Sequence, residues 1–464
     1  MFSIFRVLGI PKYVMIEWGL SFGSHDSAIA VFQDDVLVFA SEGERWSKIK
    51  HEKTLPDNLI SFVTNKYGEP DKIYYFEDYH LKEQRRASAG QKPKEQPSIA
   101  GFHYDDWTIT GHHHSHASWG YFSSNFVGKG PCTTIVIDAI GEWDTMSVWR
   151  CEGSRLSKEG ATIYPNSLGL MYTAATIAAG FKGNSEEYKM MGASAFGSGL
   201  EEYDILNRLR ETGFNFHKGW QYQGDRFEIA AGAQRLYEKE LFKIVKNIDG
   251  PIVLVGGCAL NVRANMLIKN ELYVPPAPND AGSAIGCVLA HKKQKLDISP
   301  YMGYNIVKPP VLSEIRNALL TDGIVGVAHG KCEFGPRALG NRSILANPKI
   351  KYWKERLCKI KNRSKWRPFG CIVKEEEVKK YFVGGRPTPY MNTCFYAKDN
   401  VPVDLLHEDK TVRVQTITPE HYLYPLLDDI PVLINTSLNI NGKPICNDEQ
   451  DVEDFKRETN IPVL

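Results

Sequence analysis

One grammar occurs twice in this chain and limits its fold more than any other feature. Met15 to Ser21 reads as a strand. A loop bracketed by Gly19 and Gly23 follows, carrying Ser24-His25-Asp26-Ser27, then Ala28 to Phe32, a turn at Gln33-Asp34-Asp35, and Val36 to Ala40. About a hundred residues on, Thr133 to Asp138, Gly141-Glu142-Trp143-Asp144 and Met146 to Trp149 repeat the pattern: apolar strand, acid at the strand end, glycine turn, second strand. Helical periodicity at 57–66, 227–247 and 312–320 separates further buried strands at 73–76, 252–255 and 323–328, which places the chain in the α/β class.

Duplicated strand–turn–strand units are the plan of an actin-like (duplicated ribonuclease-H-like) ATPase fold, in which the two hairpins clamp a nucleotide phosphate from opposite sides. At 464 residues the chain exceeds one ordinary core. A Lys-, Pro- and Tyr-rich stretch at 292–311 reads as a linker, giving a first domain over 15–300 and a smaller α/β domain over 308–464. Met15 is expected to lie close to the functional start, since 1–14 has no visible role. A net charge of +1 gives no global attraction to nucleic acid or anionic membranes, so anion binding has to be local. Nine cysteines without a Cys-x-x-Cys pair fit reduced thiols in a cytoplasm. The longest apolar run, Leu168 to Phe181, is too short and interrupted to span a bilayer, and no secretory leader is visible.

The candidate chemistry begins at Gly111-His112-His113-His114-Ser115-His116. On a helix His112 and His116 are i and i+4, so both rings fall on one face and can grip one cation; a solvated loop is the alternative. Such a site needs carboxylates from elsewhere. Asp138 stands at the C-terminal end of a buried strand, where α/β sheets meet ligands. Asp280 stands at a helix start, as an N-cap or as a ligand. The resulting N2O2 set suits Fe2+, Zn2+ or Mn2+. The double glycine Gly256-Gly257 before Asn261 would let a nucleoside lie on the backbone. Glu187 and Lys189 can address an acceptor hydroxyl or sit in a surface turn.

The second domain supplies cations. Residues 349–367 contain nine Lys or Arg and one Glu, a solvated face or a nucleic-acid patch by composition. The run ends at Lys361-Asn362-Arg363, expected on a strand-like segment where two cations hold a polyphosphate. Ser437 and Asn439 follow a strand and make small donors for the same anion site.

Taken in order, His25-Asp26-Ser27-Ala28, His112-His113-x-x-His116-Ala117, Asp138-x-x-Gly141-Glu142-Trp143-x-Thr145, Glu187-Tyr188-Lys189-Met190-Met191-Gly192, Gly256-Gly257-x-Ala259-Leu260-Asn261, Glu333 to Ser343, Arg367-Pro368-Phe369 and Asn435-Thr436-Ser437-x-Asn439 resemble the O-carbamoyltransferases that include the nodulation-factor, cephamycin and tobramycin enzymes. The Glu333 to Ser343 block is the most specific of these. The resemblance implies a C-terminal domain similar to threonylcarbamoyl-AMP synthases, which with Lys361, Arg363, Ser437 and Asn439 makes carbamoyl-adenylate from carbamoyl phosphate and ATP, with Mg2+ accompanying the nucleotide. It implies an N-terminal domain that holds the adenylate on a divalent metal, Fe2+ first among the three, bound by His112, His116, Asp138 and Asp280. There His25 takes the proton of a hydroxyl-bearing small-molecule or nucleoside acceptor. Gly141, Glu142, Gly256, Gly257, Asn261, Arg337 and Arg413 would contact nucleotide or adenylate. Ala139 and Cys258 stand where the family more often has Gly and Val or Ala, which leaves the acceptor open. Carbamoyl or threonylcarbamoyl transfer to tRNA or DNA, through the basic 349–367 run, is the alternative activity, and an ATP-binding actin-like scaffold is the non-enzymatic one.

Overall fold

Three sheets organise the chain, which a computed structural model describes over residues 14–464. The expectation about 1–14 falls, apart from Val14, outside the described residues. The first sheet has the order Val36–Glu42, Ala28–Gln33, Ile16–Ser21, Lys72–Tyr75, Thr108–Ile109. Its first three strands are antiparallel and the last two join in parallel. The second sheet repeats this order and sense with Arg155–Ile163, Asp144–Glu152, Cys132–Gly141, Ile252–Val255 and Leu272–Tyr273. A hairpin meander followed by parallel crossovers, present twice, is the duplicated ribonuclease-H-like arrangement that the repeated grammar predicts.

Two helices, His112–Phe122 and Asp280–Lys292, pack against each other between the two sheets. Small residues let them touch. A Cβ on Gly286 would come 2.0 Å from the carbonyl of Ser115, and one on Gly282 would come 2.4 Å from the Trp119 ring. This close approach brings Asp280, the first residue of its helix, against His112 and His116. One apolar core fills the space around the first sheet and these helices with Trp18, Phe32, Phe76 and Trp119. A second core, with Met171, Leu206, Ile229 and Leu254, lies on the outer face of the second sheet under the helices Leu168–Ala178 and Arg226–Val245.

The third sheet, with the order Ile324–Ala328, Arg342–Ala346, Leu433–Ser437, Gly370–Lys374, Thr411–Ile417, Cys394–Tyr396, forms the smaller domain with a core on each face. The linker expected at 292–311 instead contains a strand, Tyr301–Ile306, paired with Gly330–Glu333; alternating Tyr301, Gly303 and Asn305 hid its apolar residues Met302 and Ile306. The loop expected over 81–101 begins as a helix, Tyr79–Ser88, because Asp78 caps it by accepting from Leu81 N–H at 3.0 Å.

Candidate functional site

The histidine segment is a helix, His112–Phe122, with almost every side chain buried. Its N-cap is Gly111, which has no side chain to offer, so the carboxylate of Glu142 arrives from the neighbouring hairpin and accepts from His112 N–H at 2.9 Å and from Asp78 N–H at 2.6 Å. Burial pushes that carboxyl up to about 6. Gly141 is required beside it, since a Cβ there would strike the His112 ring at 2.4 Å. Glu142 and Gly141 thus stand behind the histidines and do not line the cavity described below, contrary to the nucleotide contact expected of them.

His112, His116, Asp138 and Asp280 converge as buried groups whose ligand atoms all lie within 4.8 Å of one another. His116 Nε2 is 3.1 Å from Asp138 Oδ2 and 3.3 Å from Asp280 Oδ1, His112 Nε2 is 3.3 and 3.5 Å from the same oxygens, and the two Nε2 atoms are 3.2 Å apart. A tetrahedral ion bound at roughly 2.0–2.1 Å has ligand–ligand edges of about 3.3–3.4 Å. The donor set therefore suits a divalent cation. Asp280 is the first helical residue, and Asn279 occupies the cap position, so the carboxylate is free to face the histidines.

The surroundings set the charges of the cluster. Burial opposes charge on both rings, yet Asp280 and Asp138 hold His112 and His116 above the ordinary histidine range, and those two rings hold Asp138 below the ordinary carboxylate range despite its burial. Glu77, buried and ion-paired with Lys82, lies 3.7 Å from His112 Nδ1, where an outer carboxylate orients a ligating ring. His113 bonds Ser147 Oγ at 2.8 Å and His114 stacks on Trp149, so both leave the cluster.

His25 stands at the turn between the first two strands. Its Nδ1 is 3.0 Å from Asp26 Oδ2, and Ser24 Oγ donates to Asp280 Oδ2 at 3.1 Å, tying this turn to a ligand. Burial works against a charge on His25, but Asp26, Asp280 and Asp138 outweigh it and push the ring up to about 10.

A cavity of about 390 Å³ runs from Asp138, His25 and Gly257 to Lys361, Arg363, Arg413, Ser437 and Asn439, so both domains contribute to one chamber. At its C-terminal end the cations are mutually exposed. Burial and then Arg413 lower Arg337, burial and then Arg367 lower Arg363, and Arg413 falls to about 10 by burial and then Arg367. The Nε atoms of Arg337, Arg363 and Arg413 are buried without a hydrogen-bond partner. Such a cluster is complementary to a polyanion.

Lys361 lines the cavity but sits elsewhere in the fold than expected. It ends the helix Trp353–Ile360 in a turn rather than on a strand, because Asn362 takes a left-handed φ of 46°. Its ammonium donates to Ser437 O at 2.5 Å and to Asn439 O and Oδ1 at 2.9 and 2.6 Å. The lysine thereby ties together the loop that carries Ser437 and Asn439. Arg337 is presented by the Glu333 to Ser343 block, where Glu333 Oε1 accepts from the N–H groups of Leu339, Asn341 and Arg342 at 2.7, 2.9 and 3.1 Å.

The other expected contacts divide. Gly257 lines the cavity beside Asp138, whereas Gly256, with φ 91°, packs on the Ile137 carbonyl and does not. Asn261 lines it but exchanges amide bonds with Gln234. Glu187 lines it while accepting from Thr173 and Asn184 N–H. Lys189 pairs with Glu186 one turn back and does not reach the cavity. Sequence reasoning missed Glu77 and His51. Glu77 follows a buried strand as Asp138 ends one, so the same signal was available; His51 carries none.

Residues 316–464 match the family model described as carbamoyltransferase C-terminus, and residues 96–223 and 215–289 match carbamoyltransferase N-terminus. Nodulation protein NolNO of Sinorhizobium fredii is 26% identical, over 92% of this chain and 76% of its own length. An uncharacterized protein of Synechocystis sp. is 27% identical over 95% of this chain and 94% of its own. Among solved structures, the activator of the 2-hydroxyisocaproyl-CoA dehydratase from Clostridium difficile with bound ADPNP aligns over 61% of this chain and 100% of that one, at 18% identity and a TM-score of 0.38.

Proposed function

The chain belongs to the carbamoyltransferase family, and from that premise we propose that it is an ATP-dependent O-carbamoyltransferase working in two half-reactions at opposite ends of one cavity. The observation that carries this reading is the single chamber joining the histidine–aspartate cluster to the half-buried arginines. At the arginine end, in a domain resembling threonylcarbamoyl-AMP synthases, water cleaves carbamoyl phosphate to carbamate and phosphate. A carbamate oxygen then attacks the ATP α-phosphorus and pyrophosphate leaves. Arg337, Arg363 and Arg413 bind and orient the phosphates, Mg2+ accompanying the nucleotide, and Lys361 holds Ser437 and Asn439 in place.

At the other end the acceptor oxygen bonds to the carbamoyl carbon, the bond to AMP breaks, and His25 takes the hydroxyl proton on Nε2 while Asp26 holds Nδ1. His112, His116, Asp138 and Asp280 would hold the divalent cation, Fe2+, Zn2+ or Mn2+ by donor type. A bound cation polarises the carbamoyl carbonyl and stabilises negative charge growing on its oxygen. With the Asp138 and Asp280 charges neutralised in that way, only Asp26 of the three acids that raise the His25 ring would still act on it. Gly257 leaves backbone room for the adenylate beside Asp138, and Glu187 faces the acceptor side.

The test is incubation of the metal-loaded protein with carbamoyl phosphate, ATP and a panel of hydroxyl compounds, read by mass spectrometry and pyrophosphate release. The expected result is carbamoyl-phosphate-dependent pyrophosphate and one carbamoyl group gained by an acceptor. Pyrophosphate release independent of carbamoyl phosphate would sink the reading.

A further inference from the structure

The carboxylate of Asp26 is shared. One oxygen lies 3.0 Å from His25 Nδ1, and the other lies 2.7 Å from Nδ1 of His51, a residue of the loop after the first hairpin. Asn279, next to the ligand Asp280, donates its amide to Asp26 Oδ2 at 3.0 Å. The His51 N–H donates to Glu44 Oε2 at 3.0 Å, which fixes the loop. Asp26 itself takes a left-handed φ of 54°, a conformation that a non-glycine residue keeps only when its surroundings hold it. His25, Asp26, His51 and Glu44 all line the cavity.

A carboxylate can only accept, so a neutral ring bound to it through Nδ1 carries its proton there and leaves Nε2 as the acceptor. We infer that His51 is a positioning residue for carbamoyl transfer: by holding the second oxygen of Asp26 it sets the orientation and tautomer in which His25 meets the acceptor hydroxyl. No other proposed role uses His51, and without it the carboxylate would be held through Oδ2, by His25 and the Asn279 amide, and could pivot about that oxygen. The inference rests on the proposed function of His25, and its test separates the two.

His51→Ala and His51→Asn are compared with the wild type in the metal-loaded full chain, using glycerol as the probe hydroxyl, with pyrophosphate release followed in parallel. Loss of a hydrogen-bond partner that orients a working histidine typically costs roughly 10- to 100-fold, so His51→Ala should lower carbamoyl transfer by about that factor and leave pyrophosphate release unchanged. The asparagine amide can replace Nδ1–H, and this variant should recover most of the rate. Equal loss in both variants, or loss in neither, overturns the inference. Proton NMR supplies a readout free of turnover: the downfield Nδ1–H signals of His25 and His51 should both be present in the wild type, and His51→Ala should remove one and shift the other. An unmoved His25 signal overturns the positioning role, whereas absence of carbamoyl transfer by the wild type to every member of the hydroxyl panel defeats the functional reading alone.

Discussion

His116 shows how much one side chain decides. It is fully buried, and its Nε2 lies within 3.3 Å of three other donors, so its loss would leave the buried Asp138 and Asp280 carboxylates sharing the His112 ring alone. His116→Ala is expected to lower carbamoyl transfer by roughly 10²–10³ while adenylate formation, followed as pyrophosphate, changes little. Arg363→Ala should do the reverse, and equal loss of both half-reactions in both variants would refute the two-ended assignment. A second residue-scale effect is on stability. Burial, then Arg342 and His421, depress His329 to about 4, and its Nε2 has no hydrogen-bond partner. Below an ordinary value near 6.5 the unfolded chain binds a proton that the folded chain refuses, so this contribution is intact above 6.5 and drains away as pH falls toward 4. Thermal midpoints measured across that window should fall less steeply in His329→Gln. The convergence of His112, His116, Asp138 and Asp280 was legible in the sequence because spacing and strand-end position constrain a residue's direction. His51 was not, since only the folded loop brings it to Asp26.

The helix His112–Phe122 is the element on which the proposed metal site depends, and its beginning is capped from outside. Glu142→Ala should cost about 1 kcal/mol of stability, as other lost caps do, and should also weaken metal retention because His112 is the first helical residue. Equilibrium unfolding and metal content measured together check both parts; a loss of stability with unchanged metal content would show that the cap does not align His112. The repeated hairpins, the buried strands and this helix were readable because apolar periodicity and glycine turns are local signals. The strand Tyr301–Ile306 and the helix Tyr79–Ser88 were not. The first is specified by pairing with Gly330–Glu333 rather than by its own composition, and the second carries polar residues on most of its faces, burying only Arg85.

At the scale of the whole molecule the two domains meet over the cavity. Arg337 of the second domain reaches the Leu260 carbonyl of the first at 3.5 Å, Arg386 donates to the Ile268 carbonyl at 2.7 Å, and Arg263 pairs with Asp409. Removing the divalent metal with a chelator that is then dialysed away, with Mg2+ restored for ATP, should stop acceptor carbamoylation and leave carbamoyl-phosphate-dependent pyrophosphate release intact. Simultaneous loss of both would place the metal in the first half-reaction instead. By itself the sequence determined the duplicated α/β plan, the histidine–aspartate quartet and the family, because each is written in local periodicity or in ordered motifs. Only the tertiary structure decided that Glu142 caps a helix, that Lys361 ties a loop, that His51 shares Asp26, and that both domains enclose one chamber. Those outcomes depend on which buried polar groups find one another when distant segments pack, and no spacing along the chain encodes that.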